Sequence, residues 1–304
     1  MSRHRVRALA SLPLLVMLVA GVAMAALSPT AGGNLIAYFH GDWGDTNIYT
    51  IPVAGGTPTQ LTENAGNNLD PEWSPDGTRI AFQSDRDGTD AIYVMNADGS
   101  DQVRITPPDV VGRQPSWSPD GSRIAFTLSS AGVIAVMNSD GTGIQRLTSP
   151  SLRAWNPKWG LEGTKITFET DRDGDAEIYI MNADGSDVTQ LTSNNTADQQ
   201  PVLSPNGALI AYNGHAPGRQ DFDLFLMNVD GTDVRRLTTA GDHDEYASWS
   251  SDGQQLVYAY GNSAIYVINV DGTGRRRVTM PGFWTAGPAW QPAEAPPAND
   301  EQAE

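Results

Sequence analysis

The chain has 304 residues, 39% of them hydrophobic and 18% charged, enough apolar material for one large domain or two ordinary ones. A formal net charge of −17 excludes nucleic acid as an expected partner, because phosphate binding needs clustered Lys and Arg. There is no cysteine, which excludes disulfides, thiolate chemistry, Cys-based zinc sites and a cysteine-linked lipid anchor.

The N-terminus reads as an export signal over 1–25. Arg3, His4, Arg5 and Arg7 form a basic start, an apolar stretch runs from Ala8 to about Ala26, and Ala23-Met24-Ala25 has the pattern of a cleavage site. The alternative is an uncleaved anchor, since the apolar stretch approaches spanning length. Cleavage would leave no stable membrane insertion and a protein of the periplasm or cell exterior. A short linker is expected over 26–33.

From 34 to 292 one phrase recurs, P-x-W-S-P-D-G-x-R-I-A-F, a loop, I-Y-V-M-N-A-D-G-S, a spacer and L-T. It runs Pro71–Thr106, Pro115–Thr148, Pro157–Thr192, Pro201–Thr238 and Ala247–Thr279. The L-T-like pairs begin at Leu61, Ile105, Leu147, Leu191, Leu237 and Val278. A period of about 40–45 residues with four strands per unit is the spacing of a β-propeller. The strands are predicted around Trp73, Ile80-Ala81-Phe82, Ile92-Tyr93-Val94-Met95 and the L-T pair, with equivalents in each copy; β-branched and aromatic residues fill them. Ser74-Pro75-Asp76-Gly77 and Ala97-Asp98-Gly99 are turn sequences, with proline presetting φ and glycine accepting φ > 0. The N-terminal copy starts at Leu35 in mid-phrase, and Pro288-Ala289-Trp290 supplies only an opening strand. The expectation is an all-β, six-bladed propeller of four-stranded blades, the sixth closed by joining the N- and C-terminal strands. A disordered, acidic tail is expected over 293–304.

The repeat resembles that of the TolB-type, WD-like β-propeller family. Such repeats occur in the periplasmic Tol-system protein, in the propellers of prolyl-oligopeptidase-like and tricorn-type proteases, and in some pectate-fragment lyases. The resemblance implies the fold and leaves the function open. The Tol-system protein carries an α/β domain before its propeller, and the peptidases carry a G-x-S-x-G nucleophile in a further domain; neither is expected in this sequence.

The S-P-D-G and N-A-D-G turns are expected on one face, nearly alike from copy to copy. The opposite face carries irregular loops, where binding residues commonly sit on a rigid scaffold. Asp70, Gln114, Asn156 and Gln200 each precede the residue that opens a first strand, and are expected to ring the mouth of the central channel. Arg153, Trp155, Tyr246 and Trp284 complete the candidate ligand-binding set, and His40, His215 and His243 are the candidate metal ligands. Trp73, Trp117, Trp159, Trp249 and Trp290 recur once per copy and read as packing residues. Asp171, Asp173, Asp175 and Glu177 resemble a calcium loop, but lie in a hairpin rather than between helices. No Ser/His/Asp set is brought together by the sequence.

These features favour a non-enzymatic, exported binding or scaffold protein. Its ligand, a protein segment or a glycan, would dock on the irregular face and channel mouth, with no cofactor. The alternative is a metal-assisted lyase or hydrolase acting on an acidic or sugar substrate through the loop histidines, with calcium or manganese as the candidate ion. The oligomeric state is open.

Overall fold

In the turn that joins the first two strands of a repeat, the Ser74 hydroxyl donates to Asp76 at 2.5 Å, and Asp76 accepts the Thr78 amide at 3.0 Å. The Arg79 amide closes back on the Ser74 hydroxyl at 2.9 Å. The same bonds recur at Ser118/Asp120 and Ser250/Asp252, so the S-P-D-G phrase builds its own hairpin end. On the adjoining hairpin the Ser100 amide and hydroxyl both donate to Asp98.

The structure is a computed structural model that describes residues 34–63, 66–128, 131–239, 243–280, 282 and 284–293. The expected signal peptide over 1–25, the linker over 26–33, and the tail over 293–304 beyond its first residue lie outside the described residues. All that is described belongs to one compact unit within Ala31–Glu304.

Among the described residues, twenty-four strands follow in chain order. They begin with β1 (Leu35–Asp42), β2 (Asp45–Pro52), β3 (Thr59–Gln60) and β4 (Gly66–Trp73). Next come β5 (Arg79–Ser84), β6 (Ala91–Asn96), β7 (Val103–Arg104) and β8 (Gly112–Trp117). They continue with β9 (Arg123–Leu128), β10 (Val133–Asn138), β11 (Gln145–Arg146) and β12 (Ala154–Gly160). Then follow β13 (Lys165–Thr170), β14 (Glu177–Asn182), β15 (Thr189–Gln190) and β16 (Gln199–Leu203). The last are β17 (Leu209–His215), β18 (Phe222–Asn228), β19 (Arg235–Arg236), β20 (Asp244–Trp249), β21 (Gln255–Tyr260), β22 (Ala264–Asn269), β23 (Arg276–Arg277) and β24 (Trp284–Trp290). The outermost strands are two residues long, which leaves little open edge for pairing with other chains.

The all-β propeller class stands, but the expectation of six four-stranded blades is overturned. Four blades are separate four-stranded sheets: β8–β11, β12–β15, β16–β19 and β20–β23. The remaining strands form one eight-stranded sheet in the order β24-β1-β2-β4-β5-β6-β7, with β3 on β2, and no sheet closes on itself. The joint is a parallel pairing of Asp45-Thr46 with Gly66-Asn67. Side chains hold it: the Gly44 amide donates to the Asn67 carboxamide oxygen at 2.7 Å and the Asn68 amide to the Thr46 hydroxyl at 3.1 Å, while Gly66, at φ 106°, packs against the β5–β6 turn, where a Cβ would strike the Asp85 carboxylate at 2.5 Å. The Asn68 side chain then donates to the Thr46 carbonyl at 2.9 Å. The chain ends do pair, β1 against β24, with Ile36 opposite Trp290.

The core lies between neighbouring sheets. Trp73, Trp117, Trp159 and Trp249 are buried. Arg79 covers Trp117, and Arg123 covers Trp159, each guanidinium within 5 Å of the ring centre. The threonine of each L-T pair is buried and fixes the neighbouring strand. Thr62, Thr106, Thr148, Thr192, Thr238 and Thr279 accept the amides of Ile48, Ile92, Ile134, Ile178, Leu224 and Ile265 at 2.8–3.1 Å. Among the described residues no helix is long and apolar enough to cross a membrane.

Candidate functional site

Each inner strand, β4, β8, β12, β16, β20 and β24, contains a bulge. The register of β4 against β5 shifts between Leu69 and Glu72, and equivalent shifts occur in the other five. The extra residue at each bulge takes a left-handed backbone: Asp70 (φ 50°), Gln114 (53°), Asn156 (51°), Gln200 (54°), Tyr246 (59°) and Gly287 (58°). Five of the six are not glycine, and non-glycine residues adopt this conformation at a cost of about 1–3 kcal/mol where the surroundings impose it. All six line a narrow cavity of about 90 Å³. The channel wall therefore carries a ring of strained, polar-rich positions, the arrangement in which bulges re-aim side chains.

Side chains hold this ring in place. The Gln114 carboxamide oxygen accepts the Asn156 amide at 3.2 Å and the Thr127 hydroxyl at 2.8 Å. Glu169 accepts the Gln200 amide at 2.6 Å. The Gln200 oxygen accepts the Tyr246 amide at 2.9 Å and the Asn213 carboxamide at 2.6 Å. The bulge amides of Asn156, Gln200 and Tyr246 are thus satisfied by the preceding sheet rather than by their own, while the Thr127 and Asn213 bonds brace the two glutamines from within their own sheets.

The charges in the channel are few and enclosed. Lys158 on β12 reaches Glu72 on β4 at 2.6 Å. Asp70 keeps one side open to the cavity but is otherwise surrounded by protein. Burial raises its pKa to about 6; Lys158 opposes the rise, and Asp90 and Glu72 add to it. Glu169 is raised to about 7, again by burial first, against the stabilising bonds from the Gln200 amide and Asn156. Burial also pushes the Tyr246 phenol well above its ordinary range. Asp70 thus gives the channel a carboxyl group that stays protonated to a higher pH than an exposed one, and in that form it can donate as well as accept hydrogen bonds.

The structure brings Asp70, Gln114, Asn156, Gln200 and Tyr246 together around the channel. Trp284 lies at its edge, 4.9 Å from Phe39 and 5.5 Å from Trp43 between ring centres, while Phe39 also meets Tyr246. Arg153 and Trp155 form a separate group: the Arg153 guanidinium lies 5.7 Å from the Trp155 ring and 2.7 Å from Asp171. The candidate metal ligands divide in two. His40 bonds Thr285 at 2.7 Å and packs edge-on to Tyr49. His215 and His243 flank Phe222, with His243 3.7 Å from Asp221 and 3.8 Å from Glu245. Of the calcium-loop residues, Asp171 pairs with Arg153, Asp173 with Arg172, and Glu177 accepts the Thr192 hydroxyl and the Asn194 amide. Among the described residues, no group of three or more His, Cys, Asp or Glu is placed to hold a metal ion.

Sequence reasoning missed Glu72, Lys158 and Glu169. The first two occupy the variable middle position of P-x-W, which strand alternation directs toward the channel one pleat beyond the bulge. That constant frame around a changing residue was the available signal. Glu169 had none, because it acts through its bond to a bulge amide on another sheet.

Comparison with known proteins decides the family. The profile described as the TolB beta propeller domain matches residues 15–113 and 108–294. The chain belongs to the TolB β-propeller domain family. Among solved structures, TolB from Acinetobacter baumannii is 25% identical with a TM-score of 0.73, covering 85% of this chain and 67% of that one. A protein assigned as TolB from Agrobacterium tumefaciens is 20% identical with a TM-score of 0.69, covering 85% and 92%. An oligogalacturonate lyase in complex with manganese shares the fold at 16% identity and a TM-score of 0.55, covering 83% and 75%. No curated protein matches.

Proposed function

We propose that this TolB-family propeller is an exported, non-enzymatic binding or scaffold protein that receives a protein segment or a glycan at the channel mouth and the irregular face. The observation that carries this reading is the ring of left-handed bulge residues lining the cavity. Strain of this kind persists where surrounding structure imposes it, and it clusters at ligand sites. The opposite face uses its polar groups internally: Asp98, Asp140, Asp184 and Asp230 each accept the amide and the hydroxyl of the residue two positions on. The basic and apolar start of the sequence, with its A-x-A site, supports export. Affinity capture from an envelope extract tests the binding role. Arg153→Ala with Trp284→Ala should release a partner held by the native chain. A partner retained by that variant, with the fold intact by circular dichroism, would count against this face. N-terminal sequencing of the exported protein tests cleavage after Ala25.

A second reading, a metal-assisted lyase or hydrolase, is favoured by one feature: His215 and His243 flank Phe222 beside Asp221 and Glu245. It predicts that manganese or calcium raises the melting temperature of the native chain and not that of His243→Ala. No shift in either would remove it.

A further inference from the structure

The β1–β2 hairpin ends in Asp42-Trp43-Gly44-Asp45, and Trp43 is 74% exposed. An exposed indole usually wanders, but this one is held. The Gly44 amide donates to the Asn67 carboxamide oxygen at 2.7 Å, fixing the hairpin tip to β4. Trp284 supports the Trp43 ring at 5.5 Å and 34°, and is itself seated on Phe39. Trp43 borders a cleft of about 600 Å³ that opens beside the channel mouth, sharing Asp70 and Gln114 with the channel wall.

The rest of this cleft is polar and already organised. The Asn67 amide and side chain both donate to Asp85, at 2.6 and 2.8 Å. Asp90 accepts Gln83 at 2.9 Å, and Arg113 at 2.7 Å through Nε and 2.6 Å through its terminal nitrogen. We propose that this cleft is a glycan subsite for an uncharged or amino-bearing hexose chain, with one sugar ring stacked on Trp43 and its polar groups on Asp85, Asp90 and Arg113. The proposal rests on the reading of the irregular face as the binding surface, and names a ligand class for it.

Three physical points select this occupant. A pyranose has a flat C–H face that suits an indole, and vicinal hydroxyls that suit a carboxylate–guanidinium pair. An extended peptide finds little open strand edge here, because β2 and β5 are paired on both sides and β4 is joined to β2 at the cleft end through Gly66-Asn67. Anionic sugars are disfavoured, since Asp70, Asp85 and Asp90 face a single guanidinium that Asp90 already engages.

Calorimetry on the whole chain tests this with three defined tetramers: N-acetylglucosamine, glucosamine and galacturonate. The first or second should bind saturably, and galacturonate should not. Trp43→Ala should weaken binding about tenfold and Trp43→Phe less, as expected for loss or reduction of one aromatic stack. The tip is exposed, and an unchanged melting temperature would show that neither substitution disturbs the fold. The proposal is overturned if neither the neutral nor the amino tetramer binds, if Trp43→Ala binds as well as the native chain, or if galacturonate binds best. If no sugar binds while Arg153→Ala with Trp284→Ala still abolishes capture of an envelope partner, the glycan subsite fails and the binding face stands. If that capture is also unchanged, both fail.

Discussion

Lys158 and Glu72 lie 86 residues apart in sequence and 2.6 Å apart in the channel, on inner strands separated by β8. The pair ties β4 to β12 across the wall of the cavity, and Lys158 also opposes the upward shift of Asp70. Lys158→Met should therefore act twice. It should destabilise the fold by about 1–2 kcal/mol, less than for a fully buried pair because both side chains retain some exposure. It should also raise the Asp70 pKa further. Urea denaturation and carboxyl NMR titration check the two effects, and Glu72→Gln in the same chain should recover part of the stability.

Asp70, Glu169 and Asp198 have folded pKa values raised to about 6, 7 and 7. Burial dominates each shift, and for Asp198 the neighbouring Glu177 adds to it. Between about pH 4 and 7 the folded state therefore holds more protons than the unfolded state, so these groups make stability fall as pH rises through that window. Thermal unfolding should show a higher melting temperature near pH 5 than near pH 7.5. Glu169→Gln should flatten that difference while keeping the carboxamide oxygen available to the Gln200 amide.

The threonine caps make a local prediction. Thr148→Val leaves the buried Ile134 amide without its 2.8 Å acceptor side chain at nearly constant volume. The cost should be about 1–2 kcal/mol. Hydrogen exchange at the Ile134 amide should speed up more than at the equivalent Ile178.

Glycines of the two faces should respond differently. Gly185 has φ 88°, and a Cβ there would sit 2.8 Å from the Leu147 carbonyl oxygen; Gly99 and Gly231 show the same approach. Gly88 has φ 94° with open space around it. Gly88→Ala should cost about 1 kcal/mol of backbone strain, and Gly185→Ala distinctly more. Equal losses in chemical denaturation would show that backbone strain, not the packing of the N-A-D-G turn against the preceding L-T pair, is what matters.

Much of the channel was legible in the sequence. Asp70, Gln114, Asn156 and Gln200 could be found because each stands before a proline in a repeated phrase, and Tyr246 holds the same position before Ala247. Their left-handed backbone could not be foreseen, because the residue before proline ordinarily favours extended conformations. The number of separate blades was misjudged for a related reason. A repeat period counts strands, but it does not report a two-residue parallel joint between neighbouring sheets, which is held by Asn67 and Asn68 reaching Gly44 and Thr46. Trp43 was visible only as one aromatic residue in an irregular loop. Its value lies in Gly44, Asn67 and Trp284, which come from a hairpin turn and two separate strands and meet only in the fold.

The central claim is that ligands meet the irregular face and not the face of Asp-Gly turns. Affinity capture from an envelope extract with two matched variants tests it most directly. One carries Arg153→Ala, Gln114→Ala and Trp284→Ala. The other carries Asp98→Asn, Asp184→Asn and Asp230→Asn, a change the fold tolerates naturally at Asn206 of the sister turn. The first variant should lose the partner and the second should keep it; retention by the first with loss by the second would contradict the account.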